Sequence, residues 1–375
     1  MKLVKFILLS TALLVTALPV FSASPVDQWL ANSEPKMDFG KDALEWKFAH
    51  PAPPVSHLPP IWQKGFDWLE SKTNNSFKMR VFGGGSLYGF AGGFKAIRAG
   101  IADFGTCYTV AEAKGFELYK TLHLPYIAPV NPYLNARVIN ELMATTLKEE
   151  FTRRGVYPAH VMPLRPLTLM SKEPIKTPED LRGKKLVSYL HAPGAAEALG
   201  FSEVHIPFPE IYTALQQGLI DAVVWVDMGF IPFKIYEQAK FYTAINISSA
   251  TIETCMNRAS FDGLNLPAKQ LIYDLQQKIG IAVVEESEKF ANNARSKLIE
   301  NGVEIIELSD QQKVQWQKAF EPSVETWMKR CEEEGKDCRA LVSDIKRLEK
   351  KYSGLSDEEL MRLAIEEPVK GIIEF

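Results

Sequence analysis

Strand-like and helix-like patterns of apolar residues alternate along most of the chain. Residues 43–49 and 77–82 have the short apolar pattern of strands, and residues 61–72 between them have helical spacing. The same order continues with strands at 103–108, 184–190 and 221–225 and with helices at 91–99, 131–154 and 210–217. This alternation predicts α/β lobes in which helices cover sheets.

Capping residues mark the start of several of these helices. Asn131 can cap the helix that follows, and Pro132 suits its first turn. Thr177 and Pro178 start another helix, with acidic residues next to its positive end. Residues 267–301 form an unusually long helical pattern. Because we find no internal repeat and no low-complexity linker, we expect two lobes that are interleaved along the chain.

The N-terminus has the pattern of a secretory signal peptide. Lys2 and Lys5 flank the start of an apolar run over residues 6–20, and small residues follow at 22–24. The run is too short to span a membrane, which needs roughly 20 apolar residues. We therefore expect residues 1–23 to be cleaved and the mature protein to be periplasmic.

The charge and the cysteines narrow the class of protein. The net charge of −3 becomes −5 when Lys2 and Lys5 are removed, which argues against nucleic acid as a partner. In an oxidising compartment we expect Cys331 and Cys338, which enclose a short polar loop, to form a disulfide. Cys107 and Cys255 lie in strand-like segments. The sequence leaves open whether they are buried thiols or form a second bridge.

The sequence lacks the usual patterns of catalytic and cofactor sites. No two of the six histidines have metal-ligand spacing, so we expect no metal and no cofactor. Residues 84–88 (GGSLY) lack the last glycine of a nucleophile elbow and the ending of a phosphate loop. Their glycines suit a tight turn or a close approach of backbone to ligand.

Several segments, in order, resemble the solute-binding component of tripartite ATP-independent periplasmic (TRAP) transporters. Residues 82–88 (FGGGSLY) and 96–103 (AIRAGIAD) resemble the family's loop, helix and R-x-G-x-x-D pattern. Residues 174–185 (PIKTPEDLRGKK) are similar to its P-I-x-T-x-x-D-L-K-G-x-K stretch. Residues 210–221 (EIYTALQQGLID) are similar to its E-x-Y-x-A-L-Q-x-G-x-x-D helix.

The resemblance implies a two-lobed, type II-like periplasmic-binding-protein fold with a cleft and a long lobe-spanning helix. We expect lobe I in residues 24–162 with 250–285, lobe II in 163–249 with 286–355, and a C-terminal extension over 356–375. The protein would be a monomer and not an enzyme. It would capture a small organic solute, an organic acid, and deliver it by closure to the membrane permease subunits of a TRAP transporter.

The sequence departs from the family where the ligand is usually held. Most members place a carboxylate-binding arginine two residues after the lysine of the G-x-K strand, where this chain has Val187. The segment after Asp221 has Trp225 near the position where many relatives place a ligand-binding asparagine. The identity and charge of the ligand therefore stay open.

Three interpretations of the ligand site follow. Arg165 is a candidate anchor for a carboxylate because it precedes the strand that enters the second lobe. Alternatively, a neutral or zwitterionic ligand is held between aromatic walls and polar side chains, or Asp227 meets an amine or a cation. The remaining candidate ligand-binding residues are His50, Ser86, Leu87, Tyr88, Cys107, Tyr108, Ser188, Tyr189, His191, Trp225 and Phe230.

Two other functions compete with solute delivery. A periplasmic binding module can serve a sensor without any transporter, and the sequence does not separate the two. A secreted hydrolase or lyase with an unfamiliar site would show turnover, whereas a binding protein would show stoichiometric binding without a product.

Overall fold

The computed structural model describes residues 23–32, 37–54 and 56–375 of the chain. The predicted signal peptide, residues 1–23, lies outside the described residues except for Ala23. The strands are β1 (Leu44–Ala49), β2 (Phe77–Phe82), β3 (Phe104–Thr106), β4 (Val156–Ser171), β5 (Lys185–Ser188), β6 (Ser202–Glu203), β7 (Ala222–Val226), β8 (Phe241–Thr243), β9 (Ser249–Asn257) and β10 (Glu304–Ile306).

Helices precede, separate and follow these strands. They are α1 (Pro25–Ala31), α2 (Leu58–Lys72), α3 (Gly93–Arg98), α4 (Glu117–Thr121), α5 (Pro132–Leu142), α6 (Lys148–Thr152), α7 (Ala195–Leu199), α8 (Ile211–Gln216), α9 (Ile235–Gln238), α10 (Arg258–Asp262), α11 (Leu266–Glu300), α12 (Asp310–Glu333), α13 (Cys338–Tyr352) and α14 (Asp357–Glu366). Short 3-10 turns lie at Gly40–Asp42, Phe90–Gly92, Thr109–Ala111, Pro178–Leu181, Phe208–Glu210 and Asp227–Gly229. None of the helices in the described part of the chain is long and apolar enough to cross a membrane.

Strand β4 connects two groups of strands and thereby two lobes. Strands β2, β1 and β3 are parallel neighbours, and β9 lies antiparallel between β3 and β4. The last part of β4, from Leu167 to Ser171, pairs instead with β7, which is followed by β5 and β6. On its other side β4 pairs with β8, which pairs with β10. We call the β1–β2–β3–β9 side the first lobe and the β5–β8 and β10 side the second lobe.

Prolines in β4 lie where its pairing with β9 changes register. The register shifts between Pro158 and Val161 and again between Pro163 and Pro166. Proline has no N–H to donate to a ladder, so it is tolerated in a strand at bulges or edges. Bulges also increase local twist, which lets one strand leave the first lobe and enter the second.

The longest helix, α11, packs along both β4 and α2. It begins after Asn265, whose side chain accepts a hydrogen bond from the N–H of Ala268, and has Pro267 in its first turn. Gly65 of α2 faces Ile279, and a Cβ atom at Gly65 would lie 2.6 Å from Ile279 Cγ1. The glycine therefore permits the two helices to approach closely.

Apolar residues form one extended core and two smaller ones. The second core lies in the second lobe and includes Val187, which is 2% exposed at the position where the family's arginine was expected. The third core is formed by Leu124, Trp327 and Met328 around the cystine Cys331–Cys338. Val187 thus contributes to packing in the second lobe.

Most of the predicted elements are present, but two of the predicted helices are not continuous α-helices. The helix predicted over 131–154 contains a π-helical turn at Met143–Leu147, which separates α5 from α6. The helix predicted to start at Thr177 is only the 3-10 turn Pro178–Leu181, although its capping box is formed. The turn cannot continue as a helix because β5 begins at Lys185. The backbone is therefore extended at Arg182 and left-handed at Gly183, with φ of +74°.

The C-terminal segment packs against the first lobe. The carbonyl of Val369 accepts hydrogen bonds from Tyr273 Oη at 2.7 Å and Gln277 Nε2 at 2.9 Å, both on α11. Lys148 pairs with Glu374 at 2.9 Å. The C-terminal extension begins with α14, whose first turn is acidic.

Two disulfides are present. The predicted bridge between Cys331 and Cys338 is confirmed and joins the ends of α12 and α13. A second bridge links Cys107 to Cys255, which was an open alternative. Cys107 was predicted to bind the ligand. The structure contradicts this prediction, because the sulfur of Cys107 is bonded to Cys255 and the residue is fully buried.

The two disulfides should differ in their contribution to stability. The sequence separations are 148 and 7 residues, and loop-closure entropy gives about 5 kcal/mol for the longer loop against about 2.5 for the shorter. We expect Cys107→Ala/Cys255→Ala to lower the free energy of unfolding more than Cys331→Ala/Cys338→Ala. Urea unfolding of both double variants measures this, and equal losses would contradict the expectation.

Candidate functional site

A cavity of about 410 Å³ lies between the two lobes, beside the paired strands β4 and β9. Leu164 and Leu167 of β4 and the first residues of β9 form part of its wall. The lining residues are Pro51, Ala52, Pro53, Ser56, His57, Leu58, Phe90, Tyr108, Val110, His123, Leu164, Leu167, Tyr189, His191, Trp225, Val226, Met228, Gly229, Pro232, Phe233, Ser248, Ser249, Ala250, Thr251, Ile252 and Phe290. None of these described lining residues is a lysine or an arginine.

Aromatic rings from both lobes face the cavity. In the first lobe, Phe90 stacks on Tyr108 with ring centroids 4.2 Å apart. In the second lobe, Trp225 lies 5.7 Å from Tyr189 and 5.4 Å from Phe233. Rings contributed by both lobes give the cavity an apolar, aromatic lining that suits a flat apolar group.

A glycine sets the position of Trp225. A Cβ atom at Gly229 would lie 2.3 Å from Cζ3 of the Trp225 ring. The ring therefore lies directly against the backbone of the 3-10 turn Asp227–Gly229, which follows β7. Any side chain at this position would push the indole out of its place in the wall.

Three histidines line the cavity, and burial favours their neutral forms. Burial lowers the pKa of His57 and of His191 to about 4, and that of His123 to about 3. His57 stacks on Phe290 with a centroid distance of 4.7 Å and lies 3.0 Å from Ser287 Oγ. A neutral imidazole is both a donor and an acceptor, so these side chains can bind a polar ligand group.

A buried carboxyl group lies behind this wall, on β9. Glu253 is fully buried and accepts a hydrogen bond from the N–H of Thr109 at 2.9 Å and another from the hydroxyl of Thr251. Its Oε1 is 3.8 Å from Nε2 of His123. Burial raises the pKa of Glu253 to about 7, so near neutral pH its protonated and ionised forms are both populated.

Arg165 is held by acids that do not line the cavity. Its Nε and Nη2 donate to the Glu288 carboxylate of α11 at 3.0 Å, and Nη2 also donates to Asn292 Oδ1 at 2.6 Å. Its Nη1 is 3.7 Å from Asp227 Oδ2. Burial raises the pKa of Asp227 to about 6, although the nearby guanidinium opposes this shift.

The structure brings together four of the residues predicted from the sequence. Tyr108, Tyr189, His191 and Trp225 line the cavity. Tyr189 Oη also donates to the carbonyl of Ile206 at 3.3 Å. The aromatic wall that the sequence indicated is thus formed by three of these four residues.

Several predicted residues do not line the cavity. His50 is 2% exposed and packs on Trp62, and Tyr88 donates to the carbonyl of Ala49 at 2.6 Å. Ser188 Oγ accepts from the N–H of Leu190 at 3.3 Å. The other predicted residues outside the lining are Ser86, which is exposed, Leu87 and Phe230, which pack against apolar cores, and Cys107, Arg165 and Asp227, described above.

The sequence reasoning missed the residues that come from segments distant along the chain. His57, His123, Phe233 and Phe290 line the cavity without any local motif that marks them. Glu253 carried a usable signal, because an acid in the middle of an apolar strand must be paired or protonated.

The comparisons with known proteins assign the chain to a family. Residues 64–330 match the family model DctP, described as bacterial extracellular solute-binding protein, family 7. The chain belongs to this family. The resemblance to TRAP solute-binding components is thereby confirmed, and the proteins of this family bind solutes.

Curated relatives of this solute-binding protein have related names. The chain is 26% identical over 257 residues to the 2,3-diketo-L-gulonate-binding periplasmic protein YiaO of Escherichia coli, covering 64% of this chain and 74% of the relative. It is 24% identical over 217 residues to the ectoine-binding periplasmic protein TeaA of Halomonas elongata, covering 54% and 61%.

Solved structures support the two-lobed fold of the solute-binding protein. A TRAP solute-binding protein from Rhodoferax ferrireducens, in complex with copurified benzoate, superposes with a TM-score of 0.74 at 20% identity. The match covers 83% of this chain and 99% of that protein. The fold class expected from the sequence is confirmed.

Arg165 should act mainly on stability. Arg165→Ala would leave Glu288 and Asp227 without their shared cation, at a cost of about 1.5–3 kcal/mol. Arg153→Ala removes an exposed pair with Glu149 and serves as the control, with an expected change within about 0.5 kcal/mol.

Urea unfolding of both variants measures these changes. Unchanged stability together with a loss of ligand binding in Arg165→Ala would contradict this expectation and would indicate that Arg165 contacts the ligand.

Proposed function

We propose that this protein captures a small organic acid with a flat, apolar body and delivers it to the permease of a TRAP-type transporter. The observation that supports this proposal most directly is the cavity of about 410 Å³, which is lined by aromatic rings from both lobes. This volume lies in the ordinary range of small-molecule sites, roughly 300–1,000 Å³. Benzoate bound to the Rhodoferax ferrireducens protein of the same fold supports the assignment.

The position of the cavity supports capture by closure. Its walls come from both lobes, so a ligand held between Tyr108 and Trp225 would contact both at once. A bound ligand that contacts both lobes favours the closed arrangement, because only that arrangement forms all the contacts. Closure is then the signal that a membrane permease reads.

A neutral or zwitterionic solute is the second candidate ligand. The absence of lysine and arginine from the described lining favours it, since an acid would lack a fixed positive partner. The name of the ectoine-binding relative TeaA is consistent with this candidate. Binding for a sensor without a transporter is a further alternative that a neighbouring permease gene would distinguish.

The remaining features of the proposal concern the protein as a whole. We infer binding without catalysis, action as a monomer without nucleic acid, and export to the periplasm by a cleaved signal peptide. We also retain the lobe boundaries given by the sequence, with lobe I in 24–162 and 250–285 and lobe II in 163–249 and 286–355.

A thermal-shift panel tests the ligand class. Saturating ligand stabilises a protein by RT ln(1 + [L]/Kd), about 2.7 kcal/mol at a hundredfold excess over Kd. We expect benzoate and 3-hydroxybenzoate to raise the melting temperature more than glucuronate, 2,3-diketogulonate or ectoine. A shift with ectoine or the sugar acids and none with the aromatic acids would contradict the proposal and favour the alternative.

Trp225→Ala tests the aromatic wall. Loss of one buried aromatic face costs about 1.5–3 kcal/mol, so we expect benzoate affinity to fall roughly ten- to hundredfold. Phe375→Ala is the control, because Phe375 packs on Phe261 and Tyr273 outside the cavity lining. Calorimetric titration measures both, and equal affinities in the two variants would exclude Trp225 from the site.

A further inference from the structure

An acid that enters the cavity meets no fixed positive charge among the described lining residues. The polar groups that line it belong to histidines, serines, a threonine, two tyrosines and a tryptophan. Arg165, at the edge of the second lobe, already donates to Glu288 and Asn292. A carboxylate needs either a cation or a proton to be stable in such an apolar environment.

The polar end of the cavity is connected to a group that can hold this proton. Thr251 and His123 line the cavity, and the Thr251 hydroxyl lies 3.2 Å from Nε2 of His123. Behind them, Glu253 accepts the Thr251 hydroxyl and lies 3.8 Å from the same imidazole nitrogen. One layer of side chains therefore separates the ligand from a fully buried carboxyl group.

We propose that the cavity binds an organic acid anion together with one proton, which the His123–Glu253 pair takes up from solvent. This inference rests on the proposed function, because it requires that the ligand is an acid. With this proton the pair has no net charge, so the anion does not lie beside a bare buried carboxylate.

Other charged and titratable groups lie around the pair, on α4, on α12 and in nearby loops. On α4, the Tyr119 ring lies 5.7 Å from that of His123, and Lys120 donates from Nζ to the carbonyl of Glu112. His191 approaches from the loop after β5, and Lys120 and Arg330 of α12 disfavour its protonation. Tyr108 precedes Thr109, whose N–H donates to Glu253. The positive charges that act on His123 and His191 are those of Lys120 and Arg330, and the acidic side chains of Glu112, Glu117 and Glu150 act in turn on Lys120.

The direction of the pH dependence follows from the protonation state of the pair before the ligand binds. Burial raises the pKa of Glu253 to about 7 and lowers that of His123 to about 3. Above pH 7 the empty pair is therefore deprotonated and negative, and an anion can bind only if a proton is taken up. Below pH 7 Glu253 already carries the proton. Anion affinity should therefore be constant below about pH 7 and fall as the pH rises above it.

Calorimetric titration of the wild-type protein with benzoate between about pH 6 and pH 9 tests the proposal, with benzamide as the neutral probe. We expect benzoate affinity to fall by about tenfold for each pH unit above 7, with uptake of about one proton per benzoate at pH 8. Titrations in buffers with different ionisation enthalpies measure this proton number. Benzamide should bind with little dependence on pH.

Glu253→Gln identifies the group that titrates. Glutamine keeps an acceptor for the N–H of Thr109 and can donate to Thr251, but it cannot become negative. We expect its benzoate affinity to be independent of pH and higher than that of the wild type at about pH 9. Glu150→Gln is the matched control, because burial also raises the pKa of Glu150 to about 7 but Glu150 caps α4 outside the cavity.

Three outcomes would overturn the proposal. The first is wild-type benzoate binding without proton uptake and without a pH slope, which does not depend on whether any variant folds. The second is a Glu253→Gln protein that retains the wild-type slope. The third is benzoate and 3-hydroxybenzoate failing to bind at any pH, which would also overturn the proposed function and is thereby distinguishable from the first two.

Discussion

The antiparallel pairing of β4 with β9 is the constraint on which the rest of the structure depends. Strand β4 is shared by both lobes, and three prolines and two register shifts let it pass from one to the other. The cavity lies at this crossing, so its floor is made from strand residues rather than from loops. A floor of paired strands is fixed in position, while the aromatic residues above it come from segments that belong to one lobe or the other.

Burial at the crossing determines where charges can be. Ions in a dry interior must be paired, hydrogen-bonded or neutralised by a proton. Both solutions occur on the paired strands β4 and β9. Arg165 on β4 is paired with Glu288 of α11, whereas Glu253 on β9 has no arginine or lysine among the partners described for it and has its pKa raised to about 7. The first solution stabilises the fold, and the second leaves a proton that a ligand can influence.

Local signals in the sequence predicted the fold well and the site only partly. Caps such as Asn131 and proline in the first turn act within a few residues, so they fixed the starts of α5 and α11. Trp225 and Tyr189 were found because they lie in segments with a recognisable strand pattern. His57 and Phe290 are 233 residues apart in number and meet only through the packing of α11, which no local pattern contains. The partner of Arg165 is equally remote, since Glu288 lies 123 residues away.

Two energies explain why the bound anion should be accompanied by a proton on the His123–Glu253 pair. A ligand carboxylate about 7 Å from an ionised Glu253 would be repelled by roughly 2.4 kcal/mol at an effective dielectric constant of about 20. Protonating a group with a pKa of about 7 costs only about 1.4 kcal/mol at pH 8. Uptake of the proton is therefore the cheaper state up to nearly pH 9, and at lower pH its cost disappears. Val187 lies in the core of the second lobe and not in the cavity lining, so in the proposed site the protonatable pair has the role that a fixed cation would otherwise have.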